Sequence, residues 1–457
     1  MRKTTDLKSF SIGSGDMSPY MVGLTLAASI SSTATFVINP GFVYTHGLSA
    51  YLHYAVAASL GIAMAFILLT KKFRSLGEKQ GALTIPHWIA TRYKSDKLGL
   101  LFAFLNLLSI TFVVLIMVGC SILVASLFPV SQKFALIIVM LFVFSYVLMG
   151  GSYAHAYTNT LQGVVMLGIS LFLFVYGMAN LDGSFITNLK SISLNYASIY
   201  NTESNLYYDF FSVFGSSFII TFALMLQPHI LTKVLFLKDD KQVNKFLFTT
   251  LTTGTIFGLM LFIGFFAKFD GLEIARQDTV VAAYITTSFS STLWGQYFIS
   301  LVSIGLLAAG LSTLDGILVA LSSMVVNDIY KPWLSKKYNL NPLHLSRVVL
   351  VLIGLFSLAL AWNPPKLVGL FAQKGVYGLA AASLVPIIFG VFLNKDLSPV
   401  KIGACSLLAL FTHLYLNLFG GIANPSVSST YGIGLSVLLA FVFIALPSQK
   451  KMIRKTA

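Results

Sequence analysis

The feature that most constrains this chain is the recurrence, along nearly its whole length, of apolar stretches separated by short polar joints. Each runs to roughly 20 residues, which as a helix matches the ~30 Å hydrocarbon layer of a bilayer. In lipid every backbone N–H and C=O must be satisfied within the chain, so repeated stretches of this kind predict a bundle of membrane-crossing helices. The predicted spans are 19–45, 48–70, 98–128, 132–150, 156–181, 208–236, 244–268, 284–329, 343–362, 366–392, 399–420 and 428–447. The expected fold class is therefore all-α, an integral membrane protein of about twelve transmembrane helices with no room for a soluble domain. Two polar segments, 182–207 and 269–283, read as lids or surface loops. Function is expected inside the membrane.

Thirty Lys and Arg face fifteen Asp and Glu, a net charge of +15. In a soluble protein that excess points to nucleic acid. Here 56% of residues are hydrophobic and 10% charged, with a mean hydropathy of +0.84, and the position of the charges gives a different reading. If the N-terminus is cytoplasmic, most of the basic residues fall on one side: Arg2, Lys3 and Lys8, then Lys71, Lys72 and Arg74, and later Lys238, Lys241 and Lys245. The positive-inside rule then places both termini in the cytoplasm and the chain, multi-pass, in the cell (inner) membrane. Membrane lipid is the expected partner of these charges, not nucleic acid. Cys120 and Cys405 lie in apolar stretches, which excludes a disulfide framework or thiol-rich metal site. No HExxH, Walker A loop or Ser/His/acid grouping occurs, so an enzyme is not expected.

Two polar seams interrupt the apolar pattern. In the first span, Ser29, Ser31, Ser32, Thr33 and Thr35 precede Asn39-Pro40-Gly41, which predicts an unwound segment lining a protected cavity. In the eighth, Ala309, Ser312, Thr313 and Gly316 recur at i, i+3, i+4 and i+7, a small hydroxyl-bearing stripe on one helix face. Sodium is a hard cation, and carbonyl and hydroxyl oxygens suit it without a carboxylate. Of the acidic residues only Asp315 sits well inside a span, with Asp328 toward the end of the same helix. That is a thin basis for a proton relay.

The run Ala27-Ala28-Ser29-Ile30-Ser31-Ser32-Thr33-Ala34-Thr35-Phe36 with Pro40-Gly41 resembles the first core helix of the sodium/solute symporter family. Ala82-Leu83-Thr84-Ile85-Pro86 with Arg92-Tyr93, Gly150-Gly151 with Leu161-Gln162-Gly163, and Leu311-Ser312-Thr313 leading to Asn327-Asp328-Ile329-Tyr330 are similar to that family's later motifs. The resemblance implies a LeuT-like inverted five-plus-five helix repeat, here 19–181 and 208–392, with two extra C-terminal helices in 399–447. It further implies a Na+ site on backbone oxygens of Ala28, Ser31 and Ala309 and hydroxyls of Ser312 and Thr313.

The same resemblance carries the solute site onto Thr35, His53, Tyr54 and Gln227, with Gln373 of the tenth span added. His53 has two readings, a solute donor or a packed hydrogen-bonded histidine. Asp315 likewise has two, cation ligand or partner of a neighbouring helix. Asn159 stands where many relatives carry Asp, which weakens a second sodium site. Relatives commonly carry one more helix ahead of the first core helix. Gln227-Pro228-His229 and Trp362-Asn363-Pro364-Pro365 look most like the pantothenate- and monocarboxylate-carrying members. The implied function is a sodium-coupled symporter importing a small polar or anionic solute (pantothenate, monocarboxylate, amino acid or sugar) by alternating access. The alternatives are a proton-coupled symporter on the same scaffold and a non-transporting solute sensor.

Overall fold

A computed structural model describes residues 17–80, 84–393 and 397–445. Both termini, Ala82, Leu83 and the last two residues of 399–447 lie outside the described residues. Among those described, every regular element is helical. Among the described residues nine helices are long and apolar enough to cross a membrane, and the bent pair Pro19–Ile30 and Ala34–His46 makes a tenth span. Two shorter apolar stretches, Gln132–Leu148 at the start of the helix Gln132–Ala179 and the helix Phe211–Leu224, stand where the fourth and sixth spans are predicted. This is a multi-pass membrane protein.

The first span breaks where its sequence turns polar. Pro19 opens it, and its first half ends at Ser31, whose φ −83° and ψ 65° leave the helical region. Hydroxyls here offer the backbone an alternative to the helical ladder. The Ser32 hydroxyl accepts from the Ala34 N–H at 3.1 Å. Helix resumes as a π-helical turn, Ala34–Ile38, wide enough to accommodate Pro40, which has no N–H to donate. The axis bends by 51° across the break. Gly47 then takes φ 70°, a left-handed conformation that ends the helix and turns the chain straight into the second span.

The sixth span repeats the device. A π-helical turn, Phe211–Gly215, leads into Ser216–Leu224; the ladder lapses over 225–227 and resumes at Pro228–Leu231. Thus the helices that open the two expected repeats are both interrupted near their middles.

Burial sorts the remaining spans. The eighth, Gly295–Leu334, and the tenth, Val368–Phe392, are each 83% buried along their apolar windows, against 28% for the ninth, Pro342–Ala361. The eighth and tenth therefore form the interior with the broken helices, and the ninth presents most of its surface outward. Gly310 lets the eighth span reach the first and third: a Cβ there would lie 2.2 Å from Cys120 Sγ and 2.5 Å from Thr33 Oγ1. At the basic end, Arg92 donates to the Gly390 and Leu393 carbonyls, both at 2.7 Å, capping the tenth span's C-terminus.

Two boundaries differ from the sequence reading. The eighth span begins at Gly295, not 284, because residues 284–290 belong to a separate helix, Val280–Ser290. The Thr292 hydroxyl takes the Phe289 carbonyl at 2.9 Å, and Gly295 approaches that carbonyl so closely that a Cβ would sit 1.7 Å from it. The joint expected between the fourth and fifth spans is helical, since Gln132–Ala179 runs without interruption. Its Gly150-Gly151 pair has no proline beside it to stop the ladder.

Candidate functional site

The break in the first span faces the hydroxyl stripe of the eighth, and the two are stitched directly. Ser312 Oγ reaches the Ala28 carbonyl at 2.9 Å and the Ala309 carbonyl at 2.8 Å, while Thr313 Oγ1 reaches the Ser29 carbonyl at 2.8 Å. Ser31, the residue that ends the first half-helix, is 6% exposed. Four of the five residues expected to hold sodium, Ala28, Ala309, Ser312 and Thr313, therefore meet at one buried seam of carbonyl and hydroxyl oxygens, and Ser31 lies buried at the break beside it. Among the described residues no group of three or more His, Cys, Asp or Glu side chains is placed to share a metal ion. The donor set is hard and neutral, suited to an alkali cation rather than to zinc or copper.

Ser29 is the hub of the seam, and spacing alone did not single it out from the other hydroxyls of its run. Its hydroxyl donates to the Ser312 carbonyl at 3.1 Å and accepts from Asn159 Nδ2 at 3.1 Å and from the Lys233 ammonium. Asn159 Nδ2 also reaches the Ser312 carbonyl at 2.6 Å. Lys233 donates in addition to the Thr25 carbonyl at 3.2 Å. By sequence this lysine stands near the inner end of a helix. The break after Gln227 redirects the sixth span, so the side chain points inward and is 2% exposed. Asp315, one turn beyond the seam, is fully buried, accepts from Tyr146 at 3.1 Å and attracts the Lys233 ammonium electrostatically.

Beside the seam lies a cavity of about 150 Å³ lined by the first, second, third, sixth and tenth spans. Ser29, Thr35, Tyr54, Gln227 and Gln373 all line it. Tyr54 and Gln373 are joined, Gln373 Nε2 to the Tyr54 hydroxyl at 3.2 Å, and Tyr207 donates to the same hydroxyl at 3.0 Å. Gln227 Oε1 is buried with no partner, an acceptor aimed at a space that a solute donor would fill.

His53 is the one expected solute residue not brought to the cavity wall. Neighbours on a helix point about 100° apart, so the second span turns Tyr54 to the cavity and His53 behind it. Its Nδ1 lies 2.9 Å from the Ser212 carbonyl, its Nε2 3.4 Å from Ser426 Oγ, and its ring 4.8 Å from that of Tyr54. The packed reading of this histidine describes its surroundings.

The family model for the sodium:solute symporter family matches residues 10–398. The sodium/pantothenate symporter of Haemophilus influenzae is 27% identical over 430 residues, covering 90% of this chain and 86% of that protein. The sodium/proline symporter of Staphylococcus aureus is 25% identical, covering 79% of this chain and 71% of that one. Among solved structures, a Na+-coupled sialic acid symporter in a substrate-bound, outward-open state superposes with a TM-score of 0.77 at 16% identity, covering 96% of this chain and 92% of that one. A nucleobase-cation-symport-1 family transporter in a closed conformation gives 0.60 at 13% identity, covering 95% and 94%. These likenesses establish the fold as LeuT-like. The match across most of its length, on a scaffold whose two broken helices meet a buried hydroxyl seam, makes the chain a member of the sodium:solute symporter family.

Proposed function

We propose that the chain imports a small polar or anionic solute across the cell membrane with sodium, the basic end and both termini facing the cytoplasm. Sodium binds on the Ala28, Ser31 and Ala309 carbonyls and the Ser312 and Thr313 hydroxyls. The solute binds on Thr35, Tyr54, Gln227 and Gln373. The observation that carries this reading is Ser29, whose carbonyl and hydroxyl close the seam while its side wall lines the cavity. A cation that draws the two halves of the seam together necessarily reshapes the cavity beside it. Coupling between the two ligands is reciprocal, each raising the other's affinity.

The energetics are adequate. One sodium moving down 100 mV releases ~2.3 kcal/mol, and a tenfold gradient adds ~1.4 kcal/mol. Together they accumulate a neutral solute several hundred-fold. For a monoanion carried with one sodium the electrical part cancels, leaving about tenfold. Pantothenate, monocarboxylates, proline and sugars are the solutes to try, the first and third because relatives carry those names.

The test is uptake of these radiolabelled solutes into proteoliposomes under an inward sodium gradient, against potassium or proton gradients. Sodium-dependent uptake of one solute is expected, and it should vanish in Ser312→Ala/Thr313→Ala. Uptake that follows protons alone, or that survives the double substitution, refutes the assignment.

A further inference from the structure

Two Lys or Arg side chains among the described residues are buried: Arg74, paired with Asp240 at 2.7 Å, and Lys233. Arg74 closes a joint at the basic end. Lys233 has been carried into the protein core. We propose that its ammonium is a tethered counterpart of the transported cation, held on the seam while sodium is absent and displaced from it when sodium binds. This rests on the cation seam being the sodium site.

Three observations carry the inference. First, Lys233 binds the same kind of oxygen, on the same helix, as sodium is expected to bind: the Thr25 carbonyl and the Ser29 hydroxyl, at the edge of the half-helix that presents the Ala28 carbonyl. Ser29 is saturated by this arrangement, since its proton goes to the Ser312 carbonyl and its lone pairs to Asn159 and Lys233.

Second, the charges count. Lys233 and Asp315 are each buried to within 2% of full enclosure. An intramembrane charge needs a compensating partner. A sodium ion arriving one hydroxyl away from the ammonium puts two cations against that carboxylate, and like charges at such range in a dry site repel strongly.

Third, among the described residues the ammonium's hydrogen bonds go to the first span and not to the fifth. Asn159 is a neutral amide that spends its Nδ2 on Ser29 and Ser312 and leaves Oδ1 fully buried without a partner. Lys233 is therefore held at Ser29 by neutral oxygens on a flexible four-carbon stem, a hold that a competing cation can exchange. A lysine doing this lets the sodium-free carrier keep its seam closed and return for the next cycle.

The experiment measures sodium binding to the purified full chain in detergent, by displacement of ²²Na. Lys233→Gln and Lys233→Met, which remove the competing charge, are expected to lower the half-saturating sodium concentration by about tenfold or more. Wild-type binding that is lost in Ser312→Ala/Thr313→Ala but unchanged or weakened in both Lys233 variants overturns the tethered-cation role and leaves the seam standing. Absence of saturable binding in the wild type, or binding indifferent to Ser312→Ala/Thr313→Ala, removes the seam and this inference with it. If neither Lys233 variant folds, the wild type still answers. Acylation of Lys233 by a small amine-reactive reagent, read by mass spectrometry, rises severalfold in sodium over choline if sodium expels the ammonium. Equal labelling in the two salts overturns the proposal.

Discussion

The cation seam and the solute cavity share Ser29 but are built on opposite plans. The seam is made of backbone and hydroxyl oxygens at a break in one helix, clamped against a stripe of small residues on another, and it closes with contacts of 2.8 and 2.9 Å. The cavity has mostly apolar walls, with Thr35, Tyr54, Gln227 and Gln373 spaced around it from four different spans. A seam of that kind depends on close approach of two helices and tolerates little variation. A cavity of scattered polar groups on a fixed scaffold can exchange them singly to take another solute. Substitutions in the seam should therefore cost much more than substitutions in the cavity, and should act on sodium rather than on solute.

Gly310→Ala should give the largest effect. The added methyl overlaps Cys120 Sγ and Thr33 Oγ1 and forces the eighth span away from the first. Losing both hydroxyl contacts from a charged ligand, each worth about 1.5–3 kcal/mol, weakens sodium binding by about a hundredfold or more. Sodium-driven uptake in proteoliposomes should fall to near background while the protein still elutes as a folded species. Should the variant bind sodium normally and lose only solute, the division of labour between seam and cavity is wrong.

Thr313→Ala comes next, with Thr313→Ser as its control. Removing one hydroxyl oxygen should raise the half-saturating sodium concentration by about tenfold or more, whereas serine keeps the oxygen and should stay within about threefold. Solute affinity at saturating sodium should be unmoved in both. A drop in solute affinity equal to the loss in sodium affinity would show that the two sites are one.

The contrast also governs how far each site was legible in the sequence. Hydroxyls crowded ahead of Pro40-Gly41 conflict with a continuous helix in lipid, so the break was readable from residues 29–41 and lies at Ser31. The stripe at Ala309, Ser312 and Thr313 followed from helical spacing on one span. Neither argument needed knowledge of a neighbouring helix. Lys233 did need it: its role depends on where the sixth span is redirected after Gln227, and the sequence alone places it only near a helix end. His53 and Tyr54 are adjacent in sequence, and only the packing of Ser212 and Ser426 against the second span decides which of the two meets the cavity. The start of the eighth span is not legible in the sequence because Ser290, Ser291 and Thr292 interrupt an apolar run without a proline to mark the turn.

In the cavity the effects should be smaller and should fall on solute. Gln373→Leu removes the donor to Tyr54, and Gln227→Leu removes the unpartnered acceptor. A neutral hydrogen bond is worth about 0.5–1.5 kcal/mol, so each change should weaken solute binding by about two- to tenfold. Competition binding at saturating sodium reads this, and the sodium titration should keep its wild-type midpoint. A shift of that midpoint by Gln373→Leu, which touches no atom of the seam, would mean that the cavity reports on sodium through the tenth span.

The smallest effect on transport should come from His53→Phe, although this residue is the more deeply buried of the adjacent pair. Phenylalanine fills the ring space beside Tyr54 and Tyr207 but leaves the Ser212 carbonyl and the Ser426 hydroxyl without the ring nitrogens they now face. The Ser212 carbonyl keeps the Ser216 hydroxyl at 3.1 Å, so the loss is that of one or two neutral hydrogen bonds, about 0.5–1.5 kcal/mol each, which should appear as a lower melting temperature of the detergent-purified protein. Solute affinity should change by less than about twofold, because no ring atom reaches the cavity. A loss of solute binding comparable to that of Gln373→Leu, with stability unchanged, would move His53 back among the solute ligands and would require the second span to rotate during transport so that His53 and Tyr54 exchange places.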